Sequence, residues 1–145
     1  MRFEDKVAIV TGSGGGIGQS YAEALAKAGA AVAVADINVE AAERVTKQIV
    51  ANGGKAIAVP VDVSDEASAK AMADRTLAEF GGIDYLVNNA AIYGGMKLDL
   101  LLTVPFDYYK KFMSVNLDGA LVCTRAVYKK MAKRGGGAIV NQSST

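Results

Sequence analysis

Short apolar runs of strand length alternate along this chain with longer segments whose apolar residues recur at helical spacing, and that rhythm limits the possible folds most. Lys6 to Thr11, reading KVAIVT, is β-branched and continuous, which predicts a strand covered on both faces. Ile17 to Ala28 has a helical period and stops before Gly29, a residue suited to ending a helix. A strand over Ala31 to Asp36, a helix over Val39 to Ala51 and a third strand in KAIAVPVDV follow, with Pro60 marking an edge or a bend. Ser64 is placed to cap a helix running to about Phe80, and Asp65 and Glu66 add acid to its first turn. Ile83 to Val87 predicts a fourth strand. A single long helix is predicted from Pro105 to Lys133, with an apolar stripe through Phe112, Val115, Leu121, Val127 and Met131, and AIVNQSS forms a fifth strand. Strands and helices alternating on this scale argue one α/β domain over residues 1–145, with a parallel sheet and helices on both of its faces.

Composition narrows the function. Lys and Arg number 16 against 15 Asp and Glu, so no strong field draws in nucleic acid or an anionic membrane. The absence of histidine and the single cysteine, Cys123, leave zinc without its usual ligands and rule out an internal disulfide. No apolar stretch approaches the roughly 20 residues needed to span a bilayer. Acids directly before the first apolar run suit neither a signal peptide nor a targeting helix. The expectation is a cytoplasmic protein with no metal and with neither nucleic acid nor membrane as partner.

VTGSGGGIG joins the first strand to the first helix. Gly12, Gly16 and Gly18 suit a tight turn, close approach of backbone to a pyrophosphate, and close packing of helix on sheet. A tight strand-to-helix turn without a ligand uses glycine too. No Lys-Ser/Thr pair follows, which argues against a P-loop ATPase. Asp36 ends the second strand 18 residues after Gly18, close to the spacing of about 20 for an acid bonding an adenosine ribose. Read alone, it is a solvated strand-end carboxylate that caps the next helix. At a ribose it repels a 2′-phosphate, and neither the loop nor Ile37 nor Asn38 supplies a cation to attract one. The pattern therefore points to NAD rather than NADP. Ser13 and Ile17 in the loop, and Ile37 beside the acid, are counted with the cofactor contacts.

Four stretches together resemble the short-chain dehydrogenase/reductase family across essentially the whole chain: TGSGGGIG, VDVS after the third strand, NNAA after the fourth, and IVNQSS at the fifth. The resemblance implies a Rossmann-type doubly wound parallel sheet, of which these five strands are an incomplete set, and hydride transfer between nicotinamide and an alcohol or ketone. It implies that Asp62 lies against the adenine with Val63 beside it through its backbone. It implies that Asn89 and Ala90 support the central strand and line the adenosine ribose. Ala91 stands where the family usually has glycine, and its methyl crowds the cofactor floor without removing a donor. Asn116 resembles the asparagine that holds a water in the family's proton relay. Ser144 corresponds to the catalytic hydroxyl that bonds the substrate oxygen, with Ser143 supporting the backbone. Plainer readings remain open: Asp62 opens the following helix, Asn116 is a structural amide bonded to neighbouring backbone, and the serines are ordinary turn residues.

The family's tyrosine, followed four residues later by a lysine that lowers its pKa, is expected after Ser144. Lys97 follows Tyr93 at that interval, but the intervening glycines make a loop that does not hold the two side chains on one face. The chain is accordingly expected to be the N-terminal portion of a longer enzyme, inactive by itself and a homotetramer or dimer when whole. Two other functions stay open: a dinucleotide-binding module without catalysis, and an epimerase or dehydratase of the extended relatives. The apolar stretch IYGGMKLDLLLTVPFDYY borders the substrate opening, or serves as a lid or a core-covering loop.

Overall fold

Runs that are apolar on both sides of the pleat become the middle of a sheet. The computed structural model describes residues 3–96, 99–100 and 102–144. Its strands are β1 (Val7–Thr11), β2 (Ala31–Asp36), β3 (Lys55–Pro60), β4 (Tyr85–Asn88) and β5 (Ala138–Asn141). They pair in parallel in the order β3-β2-β1-β4-β5. The chain thus winds outward from β1 to one edge and then crosses to the other side, the doubly wound arrangement. Every residue of β1 is buried. Pro60 lies on an edge strand, where its missing N–H breaks no ladder. At the opposite edge, β5 leaves Val140 55% exposed.

The helices are α1 (Gly16–Lys27), α2 (Val39–Ala51), α3 (Glu66–Phe80), α4 (Phe106–Met113) and α5 (Gly119–Lys133). Because successive strand residues point to opposite faces, Ile9 and Val10 enter different clusters. Val10 packs with Val34, Ala22, Val45 and Ile49 under α1 and α2. Ile9 packs with Met72, Ile83, Cys123 and Val127 under α3 and α5. At the amino end of the sheet, the buried Asp84 accepts from the Val7 N–H at 2.8 Å and pairs with Arg134 Nε at 3.0 Å. That places the end of α5 against the start of β1 and keeps the buried carboxylate from being left unpaired.

Several local features differ from the sequence expectation. The helix expected from Pro105 to Lys133 is interrupted by a π-helical turn at Ser114–Asp118. Leu121 is 60% exposed and does not join the buried stripe. It lies six residues beyond Val115, which is the far side of a helix, whereas the buried face steps by four through Gly119, Cys123, Val127 and Met131. Ser64 does not cap α3. Asp62 Oδ1 accepts both its N–H (2.9 Å) and its hydroxyl (2.6 Å), and the helix starts one residue later with Asp65 as its cap, accepting from the Ser68 N–H at 2.7 Å. The third strand stops at Pro60, the fourth begins at Tyr85, and the fifth ends at Asn141, before Gln142 and the serines. No helix among the described residues is long and apolar enough to cross a membrane.

Burial pushes the Cys123 thiol up to about 12, so at neutral pH it is a protonated core side chain. Ellman's reagent at pH 8 should modify it only as fast as the chain unfolds; rapid stoichiometric reaction of the folded chain would contradict its placement. In urea unfolding, Ile83→Ala should cost roughly 3 kcal/mol and Leu121→Ala less than about 0.5 kcal/mol. Equal costs would contradict the phase assigned to α5.

Candidate functional site

The carboxyl ends of β1 and β4 are locked together by one hydroxyl. Thr11 Oγ1 donates to the Val87 carbonyl at 3.3 Å and accepts the N–H groups of Asn89 and Ala90, each at 3.1 Å. The Asn89 amide nitrogen in turn donates to the carbonyls of Thr11 (3.0 Å) and Gly12 (3.1 Å). The NNAA turn and the glycine loop are therefore one unit. Gly12 has φ +64°, and a Cβ there would come within 2.7 Å of Ala90 Cα. A Cβ at Gly18 would overlap the Gly12 carbonyl oxygen. Both positions need glycine, one for backbone shape and contact and the other for contact alone. Thr11 was not among the residues singled out from sequence; its place directly before the first glycine is the signal that could have found it.

α1 begins after Gly15, its N-cap, whose backbone is extended, with no side-chain cap and no acid in the first turn. A Cβ built at Gly15 or Gly16 would meet nothing within 4 Å. The first N–H groups of α1, which have no partner inside the helix, thus face an open cradle at the positive end of its dipole. This donor set suits an anion such as a pyrophosphate. Ser13 contributes no side chain to it: its hydroxyl is buried and donates to the Val10 carbonyl at 2.7 Å. Its N–H donates to the Ala35 carbonyl at 3.2 Å, so Ser13 anchors the loop to the sheet. Ile17 and Ile37 are exposed on the rim.

Asp36 Oδ2 accepts from the Gly14 N–H at 2.8 Å, and Oδ1 accepts from the Asn38 N–H at 2.9 Å. A carboxylate offers about four acceptor directions, so two remain for a ligand's vicinal hydroxyls. The capping of α2 falls to Asn38, whose side chain accepts from the Ala41 N–H. A cation that the sequence reading did not place here also reaches the loop: Arg44 Nη2 donates to the Gly14 carbonyl at 2.7 Å. Arg44 lies outside the loop and the residues next to Asp36, where the sequence offers no cation. The helical spacing that puts Arg44 and Gln48 on one side of α2 was the available signal.

Asp62 is tied into the turn before α3 through Ser64, while its N–H donates to Ser68 Oγ at 2.9 Å. Val63 is buried in the core and sits against Gly119. The Asn116 side chain is paired with backbone, Oδ1 accepting from the Ile92 N–H at 2.7 Å and Nδ2 donating to the Ile92 carbonyl at 3.2 Å. This is the geometry of a structural amide, set in the π-helical turn. Beside it lies a cavity of about 50 Å³ lined by Thr11, Asn88, Ala90, Ala91, Asn116 and Asn141, among others. The buried Asn88 Oδ1 has no hydrogen-bond partner among the described residues. A polar cavity of this size is large enough for a water.

Gln142 carries β5 past its end, its N–H donating to the Asn88 carbonyl at 2.9 Å and its Oε1 accepting from the Tyr21 hydroxyl at 2.6 Å. Ser143 and Ser144 follow, exposed, beyond the carboxyl end of the sheet. Asp36, Asn89 and Ser144 thus share the carboxyl end of the sheet, where open α/β folds bind ligands. Lys97 of the Tyr93–Lys97 pair lies outside the described residues, as do Leu98 and Leu101 of the long apolar stretch. Among the described residues, no group of three or more metal-ligating side chains could hold an ion.

The sequence model described as short chain dehydrogenase matches residues 6–145. An uncharacterized oxidoreductase of Mycobacterium tuberculosis is 79% identical over 143 residues, covering 99% of this chain and 58% of that protein. The D-threitol dehydrogenase of Mycolicibacterium smegmatis is 41% identical over 144 residues, covering 99% of this chain and 54% of that one. The crystal structure of a short-chain type dehydrogenase/reductase from Mycobacterium marinum superposes with a TM-score of 0.93 at 33% identity, covering 99% of this chain and 57% of that one. The chain therefore spans between half and three-fifths of these relatives' length. With the glycine cradle, the doubly wound sheet and a match to all but its first few residues, the chain belongs to the short chain dehydrogenase family.

Proposed function

We propose that this chain is the cofactor-binding domain of an NAD(H)-dependent oxidoreductase acting on an alcohol or ketone. The observation that carries this reading is the pairing of an open, uncapped helix start at Gly15 and Gly16 with a fixed carboxylate, Asp36, at the end of the neighbouring strand. The pyrophosphate is assigned to the N–H groups around Gly16, Ile17 and Gly18. The adenosine ribose hydroxyls are assigned to Asp36, with Ile37 on the rim and Asn89, Ala90 and Ala91 beneath. Asp62 and Val63 border the adenine. The nicotinamide supplies the hydride acceptor or donor.

Ser144 is assigned to the substrate oxygen, where its hydroxyl steadies developing charge. The cavity beside Asn116 is assigned to a relay water, with Asn88 Oδ1 as the acceptor that would hold it. Because the Asn116 amide is occupied by Ile92, its part in the relay is to keep the π-helical turn and this cavity in place. Proton transfer to substrate is assigned to the tyrosine and lysine that the family resemblance places after Ser144, so residues 1–145 should bind cofactor without turnover. A relative named for D-threitol supports an alcohol substrate. We place the protein in the cytoplasm as a homo-oligomer; the outward Leu117, Leu121 and Tyr128 give a subunit contact an apolar face.

Titration calorimetry should register NADH binding, and Asp36→Ala should weaken it ten- to a hundredfold, on the order of the 1.5–3 kcal/mol of charge-assisted hydrogen bonds. The same change should narrow the gap between NADH and NADPH. An unchanged preference would show that Asp36 is not at the ribose. Gly18→Val should abolish binding, because no β-carbon fits against the Gly12 carbonyl; retained affinity would contradict the loop geometry. In the whole gene product, ketone-dependent NADH oxidation is expected, and binding without turnover there would favour a non-catalytic module.

A further inference from the structure

Arg44 is solvent-exposed, yet its guanidinium is shared among three acceptors. Nη2 donates to the Gly14 carbonyl at 2.7 Å and to Gln19 Oε1 at 3.3 Å, and Nη1 donates to Gln48 Oε1 at 3.4 Å. Gly14 also donates its own N–H to Asp36 Oδ2 at 2.8 Å. This residue is therefore held at both of its backbone polar groups, by a carboxylate on one side and a guanidinium on the other. Residues 14–16 are three consecutive glycines, with no side chain to fix their shape. Glycine loses the most conformational freedom on ordering, so a clamp from outside decides how much of the loop is formed before a ligand arrives. A guanidinium bonded to a carbonyl is a strong clamp because the hydrogen bond is charge-assisted.

We propose that Arg44 is a positioning residue for the adenosine ribose. By fixing Gly14 it aims the Gly14 N–H at Asp36, and it thereby holds the carboxylate with its two remaining acceptor directions toward the ribose diol. The proposal rests on the reading of Asp36 as the ribose acid. It is distinct from a direct role, in which Arg44 leaves Gly14 and binds a 2′-phosphate. The direct role requires the guanidinium to exchange a 2.7 Å bond for a phosphate beside a carboxylate, whereas the clamp uses the bond already made.

The test is titration calorimetry of the chain with NADH and NADPH, comparing the parent with Arg44→Met, Arg44→Lys, Asp36→Ala and the Arg44→Met/Asp36→Ala pair. Arg44→Met should weaken NADH roughly tenfold, as expected for loss of one charge-assisted bond, and NADPH by less, because a 2′-phosphate makes no use of the Asp36 acceptors. The melting temperature should stay within about 2 °C, since the site is on the surface. Arg44→Lys, which still offers a charged donor, should recover affinity to within about threefold of the parent. In the Asp36→Ala background, Arg44→Met should change NADH affinity by less than about threefold, because Arg44 acts through Asp36. Undiminished NADH affinity in Arg44→Met, fully additive losses in the pair, or a loss confined to NADPH would each overturn the proposal. The last of these would make Arg44 a phosphate ligand. A parent that binds neither nucleotide would instead remove the ribose reading of Asp36, and the clamp with it.

Discussion

Everything at this site depends on how closely α1 can start behind the end of β1. At Gly18 there is no room for a single carbon between helix and turn: a Cβ would overlap the Gly12 carbonyl oxygen and lie within about 2.5 Å of the Asn89 amide nitrogen. That proximity lets Asn89 bridge the carbonyls of Thr11 and Gly12, and lets Thr11 take two N–H groups from the turn after β4. A larger residue at Gly18 would separate strand from helix, and the open cradle at Gly15 and Gly16 would lose its floor.

Around that contact the electrostatics are arranged in one direction. The helix start is left without an acidic or hydroxyl cap, so its partial positive charge is not spent on the protein itself. The Asp36 carboxylate is held one strand away by the N–H groups of Gly14 and Asn38. On the proposed reading, anion and diol are received by separate groups of opposite character, and Arg44 sits behind the loop, bonded to Gly14. Farther along the same end of the sheet, the π-helical turn brings the Asn116 amide onto the backbone of Ile92 and leaves a small polar cavity beside Asn88.

Much of the fold was legible because its signals are local. Continuous β-branched runs gave the buried strands, Pro60 gave an edge, and the strand-helix alternation gave a parallel sheet. Competition for partners, near and far in the chain, set what was not legible. Ser64 has the right side chain for a cap, but its hydroxyl is bonded to Asp62 and the helix starts one residue later, with Asp65 as its cap. The π-helical turn has no composition of its own, and an apolar residue such as Leu121 can be assigned to a stripe by type while its angle around the helix faces solvent. At the site, glycines and strand-end acids announce themselves by spacing. The direction of a hydroxyl does not, so Ser13 reads as a loop ligand although it bonds inward to Val10. Arg44 and Thr11 were missed because their importance lies in which backbone carbonyls and N–H groups they reach across the fold.

We propose a nicotinamide dinucleotide gripped by the backbone at the start of α1 and by Asp36 on β2. The most direct measurement is a titration of isotopically labelled chain with NADH, followed by amide chemical shifts. Saturable shifts are expected at Gly14, Gly16, Ile17, Gly18 and Asp36, with the amides around Asp84 at the opposite end of the sheet unmoved. Saturable binding with shifts centred elsewhere, or no shift at any NADH concentration in folded material, would contradict it.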